Sequence, residues 1–197
     1  MPTISRRAAF MLVAATAASG LATSSAMAAP AKIPAIWDGE KMFKTFEKDG
    51  TGFSFPGPAG RPKAYVAFDP QCPDCITLMD RIHTYYDRIE VIYLPVALLN
   101  IHSEPQGTAM LLDKNPHLKL EEHHAKFRDP DFRGLRYGDV NAMPADLRNK
   151  VWTNTKIHRR TGCRAVPYGV FKNSKGEYVP FDENLTRVEL GKLFELD

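Results

Sequence analysis

One segment decides the fold: Ala64-Tyr65-Val66-Ala67-Phe68-Asp69-Pro70-Gln71-Cys72-Pro73-Asp74-Cys75. It opens with a continuous apolar run, which is typical of a strand buried on both faces of a sheet. Asp69-Pro70-Gln71 then interrupts the run, and beyond Cys72 the apolar residues recur with the 3.6-residue period of an amphipathic helix. Pro73 suits the first helical position, where its missing N–H costs nothing. The segment therefore predicts a strand, a tight turn that carries Cys72, and a helix.

The sequence downstream extends this unit into a mixed α/β domain. An apolar run over residues 89–99 follows the helix and completes a β-α-β unit, which implies a parallel sheet. Polar helical sequence then occupies about residues 100–160. Two short strands, over residues 168–171 and 177–181, and a final helix that opens at residue 186 complete the chain. The predicted order is β-α-β, a helical block, and then α-β-β-α.

Short patterns add local expectations. Residues 41–49 predict an amphipathic helix, and residues 53–55 predict a short strand. Ser103 with Gln106 fits a capping box at the start of a helix. Trp152 is expected to lie in the core.

Residues 1–28 have the pattern of a secretory signal peptide. Arg6-Arg7 supply the positive start, an apolar run too short to span a bilayer follows over residues 8–18, and Ala26-Met27-Ala28 supplies a small-x-small cleavage pattern. We expect cleavage before Ala29. The paired arginines also permit twin-arginine export, although Sec export is the favoured route. Export puts the cysteines where disulfides form and persist.

Charge and cysteine content exclude several classes of function. The net charge is +3, and without Arg6 and Arg7 the balance falls to +1. A nearly neutral mature protein has no electrostatic footprint for nucleic acid or for an anionic membrane. Three cysteines are too few for a disulfide-stapled scaffold, and one CxxC motif without a second pair is weak evidence for structural zinc.

The pair Cys72 and Cys75 fits thiol–disulfide chemistry. A thiolate attacks disulfides and a thiol does not, so reactivity requires a cysteine pKa below the usual ~8.5. Cys72 lies at the predicted helix N-terminus, where unpaired N–H groups and the helix dipole favour an anion. Cys75 faces the buried side. We therefore predict Cys72 as the exposed, attacking sulfur and Cys75 as the resolving sulfur, with a metal site or a structural disulfide as the alternatives.

The residues around this pair resemble those of the periplasmic DsbC/DsbG-type disulfide isomerases. The likeness rests on Asp69-Pro70-Gln71-Cys72-Pro73-Asp74-Cys75 and continues through residues 94–96, 107–109 and 162–167. It implies an α/β thioredoxin-like fold with a helical insertion between the β-α-β unit and the cis-proline strand. It also implies a redox-active Cys72–Cys75 disulfide that needs no cofactor. In that family, the element aligned with Val166-Pro167 has a cis proline, faces the CxxC pair and binds substrate backbone.

Two residues depart from that family. Asp74 replaces the aromatic or histidine residue often found there, and its carboxylate should raise the pKa of Cys72 unless the side chain points to solvent. We therefore expect Pro73 and Asp74 to tune the pair. Val166 stands where isomerases of this type usually carry threonine.

The sequence before the first core strand is a third departure. Residues 29–63 are too short for the full N-terminal dimerisation domain of those isomerases. The predicted domains are a signal peptide over residues 1–28, an N-terminal extension and linker over 29–62, and a catalytic domain over 63–197.

Several other residues are discounted as active groups. Cys163 is expected to be a buried core residue rather than a third redox sulfur. Asp69 is expected to shape the turn, with proton transfer to Cys75 as a minor role. A cluster of histidines and glutamates is expected to be the solvated face of a polar helix rather than a metal site: His117, Glu121, Glu122, His123 and His124.

Together these patterns predict a periplasmic thiol–disulfide oxidoreductase. Its expected partners are cysteine-containing exported proteins and an unidentified membrane or soluble redox partner. No metal, no nucleic acid and no stable membrane insertion after processing are expected. The alternatives are a reductase of oxidised protein thiols such as sulfenic acids, a redox-inert assembly or binding module with a structural Cys72–Cys75 disulfide, and a metal carrier.

Overall fold

A computed structural model describes residues 33–196, so the predicted signal peptide lies outside the described residues. Within this range six helices and four strands follow one another: α1 (Gly39–Asp49), β1 (Lys63–Phe68), α2 (Pro73–Ile82), β2 (Glu90–Pro95), α3 (Ser103–Leu112), α4 (Pro116–Ala125), α5 (Ala145–Arg160), β3 (Tyr168–Lys172), β4 (Tyr178–Phe181) and α6 (Arg187–Leu193). Among these helices, none has the length and apolar character that a membrane span requires.

The strands form one mixed sheet in the order β2-β1-β3-β4. β1 and β2 are parallel, which confirms the β-α-β unit, whereas β3 runs antiparallel to β1 and β4 antiparallel to β3. The register places Phe68 opposite Pro95 at the ends of β1 and β2. Because β3 runs the other way, its first residues lie at that same edge. The turn after β1 and the segment before β3 therefore meet.

The sheet is covered on both faces, as the apolar sequence of β1 predicts. Ala64, Val66 and Phe68 pack in one cluster with residues of α2 and α6. Tyr65 and Ala67 pack in a second cluster with residues of α1 and α5. The α1 side chains in this second cluster, Met42, Phe43 and Phe46, lie in the predicted N-terminal extension. That extension therefore contributes to the core of the domain.

Three local expectations are wrong. The strand expected over residues 53–55 is reduced to a single bridge between Phe53 and Tyr93. Ser103 is the first residue of α3 rather than its cap, and Gln106 is buried instead of closing a capping box. Trp152 is 43% exposed, because it lies outside the buried stripe of α5. The final helix begins where the sequence predicts, and Thr186 and Glu189 form a capping box at its start.

Candidate active site

A buried aspartate shapes the turn between β1 and α2. One carboxylate oxygen of Asp69 accepts the Gln71 N–H at 2.8 Å, and the other accepts the N–H groups of Leu98 and Leu99 at 2.7 and 2.9 Å. The side chain therefore joins the turn that carries Cys72 to the segment that follows β2. This geometry confirms the turn-shaping role expected of Asp69.

Replacing this carboxylate should destabilise the fold. Asp69→Ala leaves three backbone N–H groups without their acceptor, and an unpaired buried donor costs about 1–3 kcal/mol. We expect the free energy of unfolding in urea to fall by roughly 3 kcal/mol or more. Asp74→Ala, which removes an exposed carboxylate two residues into α2, is the control and should change stability by under about 0.5 kcal/mol. Equal losses in the two variants would contradict this account.

The CxxC pair lies where α2 begins. Cys72 is the residue that caps α2, Pro73 is the first helical residue, and both cysteines are free thiols. The expectation of an exposed Cys72 is wrong: its exposed fraction is 3%, against 1% for Cys75. The Cys72 thiol donates to the Val166 carbonyl oxygen at 3.2 Å, so the segment before β3 covers the sulfur.

The two thiols differ in pKa rather than in exposure. A hydrogen bond from the Cys75 thiol is the largest cause that lowers the pKa of Cys72, and backbone N–H groups of Cys75 and Asp74 add to it. Burial and the Asp74 carboxylate oppose this shift, and Asp74 has the smallest effect of these. Burial raises the pKa of Cys75 well above its usual value, helped by the hydrogen bond and the negative charge of Cys72. A thiolate therefore forms more readily at Cys72 than at Cys75.

Removing Cys75 should expose this dependence. Cys75→Ala deletes the largest cause of the low Cys72 pKa, so the midpoint of Cys72 alkylation by iodoacetamide should move to higher pH. The same variant should trap mixed disulfides with protein substrates, and Cys72→Ala should trap none. Cys163→Ala is the control and should leave the alkylation profile unchanged. Faster alkylation of Cys75 or Cys163 than of Cys72 would overturn the assigned roles.

The segment before β3 faces Cys72. The Val166–Pro167 peptide bond is cis, which agrees with the element implied by the resemblance. Cys163, at the start of this segment, is fully buried, as expected, and burial raises its pKa to about 11. Cys163 is therefore a protonated core thiol. Substrate binding by Val166 and Pro167 stays a prediction.

Two buried histidines hold the segments on either side of the sulfur. His123 Nε2–H donates to the Pro70 carbonyl at 2.8 Å, and its Nδ1 accepts the Leu135 N–H at 3.0 Å. His158 Nε2–H donates to the Ala165 carbonyl, also at 2.8 Å. Because a carbonyl only accepts, each ring carries its proton on Nε2. Both rings therefore anchor backbone close to Cys72: His123 holds Pro70 in the turn before it, and His158 holds Ala165 in the segment before β3.

The expectation that His123 lies on a solvated face is wrong. The sequence spacing of Leu120, His123 and Phe127 could have indicated this burial, since positions i, i+3 and i+7 lie on one face of a predicted helix. His158 was missed, although it follows Val151 by seven residues on the buried stripe of α5. Over residues 33–196, no three side chains of His, Cys, Asp or Glu gather as a metal site would require.

Acid should weaken the fold through these two rings. Burial is the first cause that lowers the pKa of each from 6.5 to about 4. Between these values the unfolded chain binds more protons than the folded one, so stability falls as the pH falls. We expect a loss of about 2 kcal/mol per histidine between pH 7 and pH 5 in urea unfolding. His158→Gln should remove its share of this loss, and Thr153→Val, at an exposed position of the same helix, should not. An unchanged pH dependence in His158→Gln would contradict this.

A network of amide side chains connects the helical insertion to the turn. Gln71 Nε2–H donates to Gln106 Oε1 at 2.6 Å, and Asn100 Nδ2–H donates to Gln71 Oε1 at 3.1 Å. Gln106 in turn donates to the carbonyls of Arg133 and Leu135 at 2.8 and 2.9 Å. Sequence reasoning missed this network because a polar residue in a polar helix gives no signal of burial. α3 is thereby fixed to the residue that precedes Cys72.

Comparison with known proteins places this geometry in a recognised fold. No protein-family model matches the sequence, and no curated protein matches it significantly. The catalytic domain of Proteus mirabilis ScsC matches with a TM-score of 0.59 at 14% identity, over 80% of this chain and 96% of that one. A periplasmic thioredoxin-like protein from Salmonella enterica serovar Typhimurium matches with a TM-score of 0.56 at 15% identity, over 79% and 92%.

A third solved structure gives the same result. A disulfide interchange protein from Neisseria gonorrhoeae matches with a TM-score of 0.53 at 18% identity, over 73% of this chain and 93% of that one. Identities this low show the fold alone, and the fold is thioredoxin-like, as the sequence predicts. The chain spans 60% of the Helicobacter pylori DsbG chain, with a TM-score of 0.49. The DsbC/DsbG subtype stays a prediction.

Proposed function

We propose that this protein is a periplasmic thiol–disulfide oxidoreductase that exchanges disulfides with exported proteins through Cys72 and Cys75. The observation that carries the proposal is the opposite shift of two hydrogen-bonded thiols at one helix N-terminus: the pKa of Cys72 is lowered and that of Cys75 is raised. A thioredoxin-like fold and the name of the Neisseria gonorrhoeae match agree with it.

The chemistry follows from these two thiols. The Cys72 thiolate attacks one sulfur of a substrate disulfide, the substrate S–S bond breaks, and the released substrate thiolate takes up a proton. The negative charge on Cys72 is then gone, which removes one cause of the high Cys75 pKa. Cys75 loses its proton and attacks the Cys72 sulfur, which releases the second substrate thiol. Two electrons pass to the substrate and a Cys72–Cys75 disulfide remains; the reverse sequence oxidises a substrate.

The surroundings of the pair support a polypeptide substrate. An open groove of about 470 Å³ runs beside Val166 and Pro167, and Ile36, Arg159 and Glu183 are among its lining residues. In the proposed function an extended substrate segment lies there and pairs with the backbone of Val166 and Pro167. Pro73 and Asp74 tune the pair, because they begin the helix that lowers the Cys72 pKa.

The proposed location rests on the sequence of residues 1–28. Their signal-peptide pattern supports export, and the periplasmic protein from Salmonella enterica serovar Typhimurium has the same fold. The substrates are then cysteine-containing exported proteins. A membrane or soluble redox partner returns Cys72 and Cys75 to their starting redox state. The resemblance around the CxxC motif supports the DsbC/DsbG type in particular.

The decisive measurement is the equilibrium of the pair with reduced and oxidised glutathione. The helix and Cys75 stabilise the thiolate, whereas Asp74 opposes it. We therefore expect a potential of roughly −160 to −240 mV, between about −120 mV for DsbA and −270 mV for thioredoxin. Asp74→Asn should make the pair slightly more oxidising, because it removes a charge that opposes the thiolate.

Each alternative predicts a different observation. A structural disulfide would stay oxidised across the glutathione range and would sink the proposal. Stoichiometric copper or zinc binding by the reduced pair would favour a metal carrier. A reductase of sulfenic acids would react faster with an oxidised protein thiol than with a protein disulfide. An unchanged potential in Asp74→Asn would contradict the role given to Asp74.

A further inference from the structure

We propose that His158 is a positioning residue for disulfide exchange: its ring N–H holds the Ala165 carbonyl inside the protein and thereby fixes the Val166 backbone over Cys72. This inference rests on the proposed exchange activity and deepens it. His158 lies on α5, outside the CxxC motif and outside the segment that faces it. It therefore acts through the backbone and does not contact the reacting sulfur.

The hydrogen bond to Ala165 is strongly constrained. His158 is fully buried, and the 2.8 Å contact from Nε2 to a carbonyl requires the proton on that nitrogen. The other ring nitrogen, Nδ1, is buried and has no hydrogen-bond partner among residues 33–196. The hydrogen bond to Ala165 is therefore the only one that the ring makes among the described residues. The Cys163 thiol donates to the same carbonyl at 3.8 Å, which is a weak second contact.

This contact orients two backbone groups at once. In a trans peptide the C=O and the following N–H point in opposite directions, so an inward Ala165 carbonyl turns the Val166 N–H outward. The Val166 carbonyl belongs to the next peptide unit and lies 3.2 Å from Cys72 Sγ. Ala165 is exposed and Val166 is half-buried, so a substrate segment can reach this edge. One ring thus sets both the donor and the acceptor that face the substrate.

The same contact acts on the sulfur. The Val166 carbonyl oxygen accepts a hydrogen bond from the neutral Cys72 thiol. The same oxygen carries a partial negative charge, which disfavours a thiolate at Cys72. When a mixed disulfide forms, Cys72 loses this proton and the carbonyl becomes available to a substrate N–H. Loss of the His158 hydrogen bond should therefore have opposite effects on thiolate formation at Cys72 and on the binding of a protein substrate. The thiolate should form more readily, while a protein substrate should be held less well.

Three variants test this. His158→Phe keeps an aromatic ring but removes the donor, whereas His158→Gln places an amide N–H near the position of Nε2. Thr108→Val is the matched control, because it also deletes a buried hydrogen bond, from Thr108 to Glu104 at 2.9 Å, on α3. Each is measured for the pH midpoint of Cys72 alkylation, for exchange with oxidised glutathione, and for kcat/KM with insulin as the protein disulfide.

We expect His158→Phe to lower the alkylation midpoint by about 0.5 pH unit. Its exchange with oxidised glutathione should be unchanged or faster, and its kcat/KM with insulin should fall about tenfold. His158→Gln should stay within about threefold of the parent protein in kcat/KM, and Thr108→Val should change none of the three. An unchanged His158→Phe would overturn the inference, and so would a parallel loss with both disulfides.

The experiment keeps its value if one variant fails. If His158→Phe does not fold, His158→Asn replaces it, because the shorter amide cannot reach Ala165, and equal kinetics of the Asn and Gln variants would refute the role. If the parent protein exchanges with neither glutathione nor insulin, the proposed function fails. The alkylation midpoint still reports whether His158 positions the carbonyl over Cys72.

Discussion

The site depends on one interaction: the buried Asp69 carboxylate accepts hydrogen bonds from three backbone N–H groups. The parallel strands β1 and β2 end at the same edge of the sheet, but each is followed by a different loop. Asp69 ties the two connections after β1 and β2 to each other, so the turn that carries Cys72 cannot move without the segment after β2. A charged acceptor strengthens each of these hydrogen bonds relative to a neutral one.

Electrostatics at the pair come from short-range groups. The thiolate at Cys72 is favoured by a neighbouring thiol and by the first N–H groups of α2, and the formal charge of Asp74 matters least. Asp74 is exposed, so solvent screens its charge. The hydrogen bonds to Cys72 lie inside the protein and are screened less. The neighbouring thiol and the start of α2 therefore lower the pKa of Cys72, and the charge of Asp74 adjusts it by a smaller amount.

The sequence predicted the features of the fold that follow from the periodicity of apolar residues. The strand over β1, the helix that begins at Pro73 and the order of elements follow from apolar spacing. The buried polar contacts did not follow, because Gln106 and His158 lie on helices whose polar residues give no sign of which face is covered. The Gln106 pairing with Gln71 and the His158 contact with Ala165 need the tertiary arrangement. The exposure of Cys72 was misjudged because a helix start alone does not show how closely the Val166 carbonyl approaches the sulfur.

The packing of α1 against the sheet gives the molecule an internal optical reporter. Trp37, just before α1, stacks edge-on against Tyr168 with ring centroids 5.9 Å apart, and its indole N–H contacts the sulfur of Met42. Tyr168 is the first residue of β3 and follows Pro167 directly. The other tryptophan, Trp152, is more exposed and lies on α5. Emission from the half-buried Trp37 indole thus reports on the strand beside the sulfurs without any attached dye.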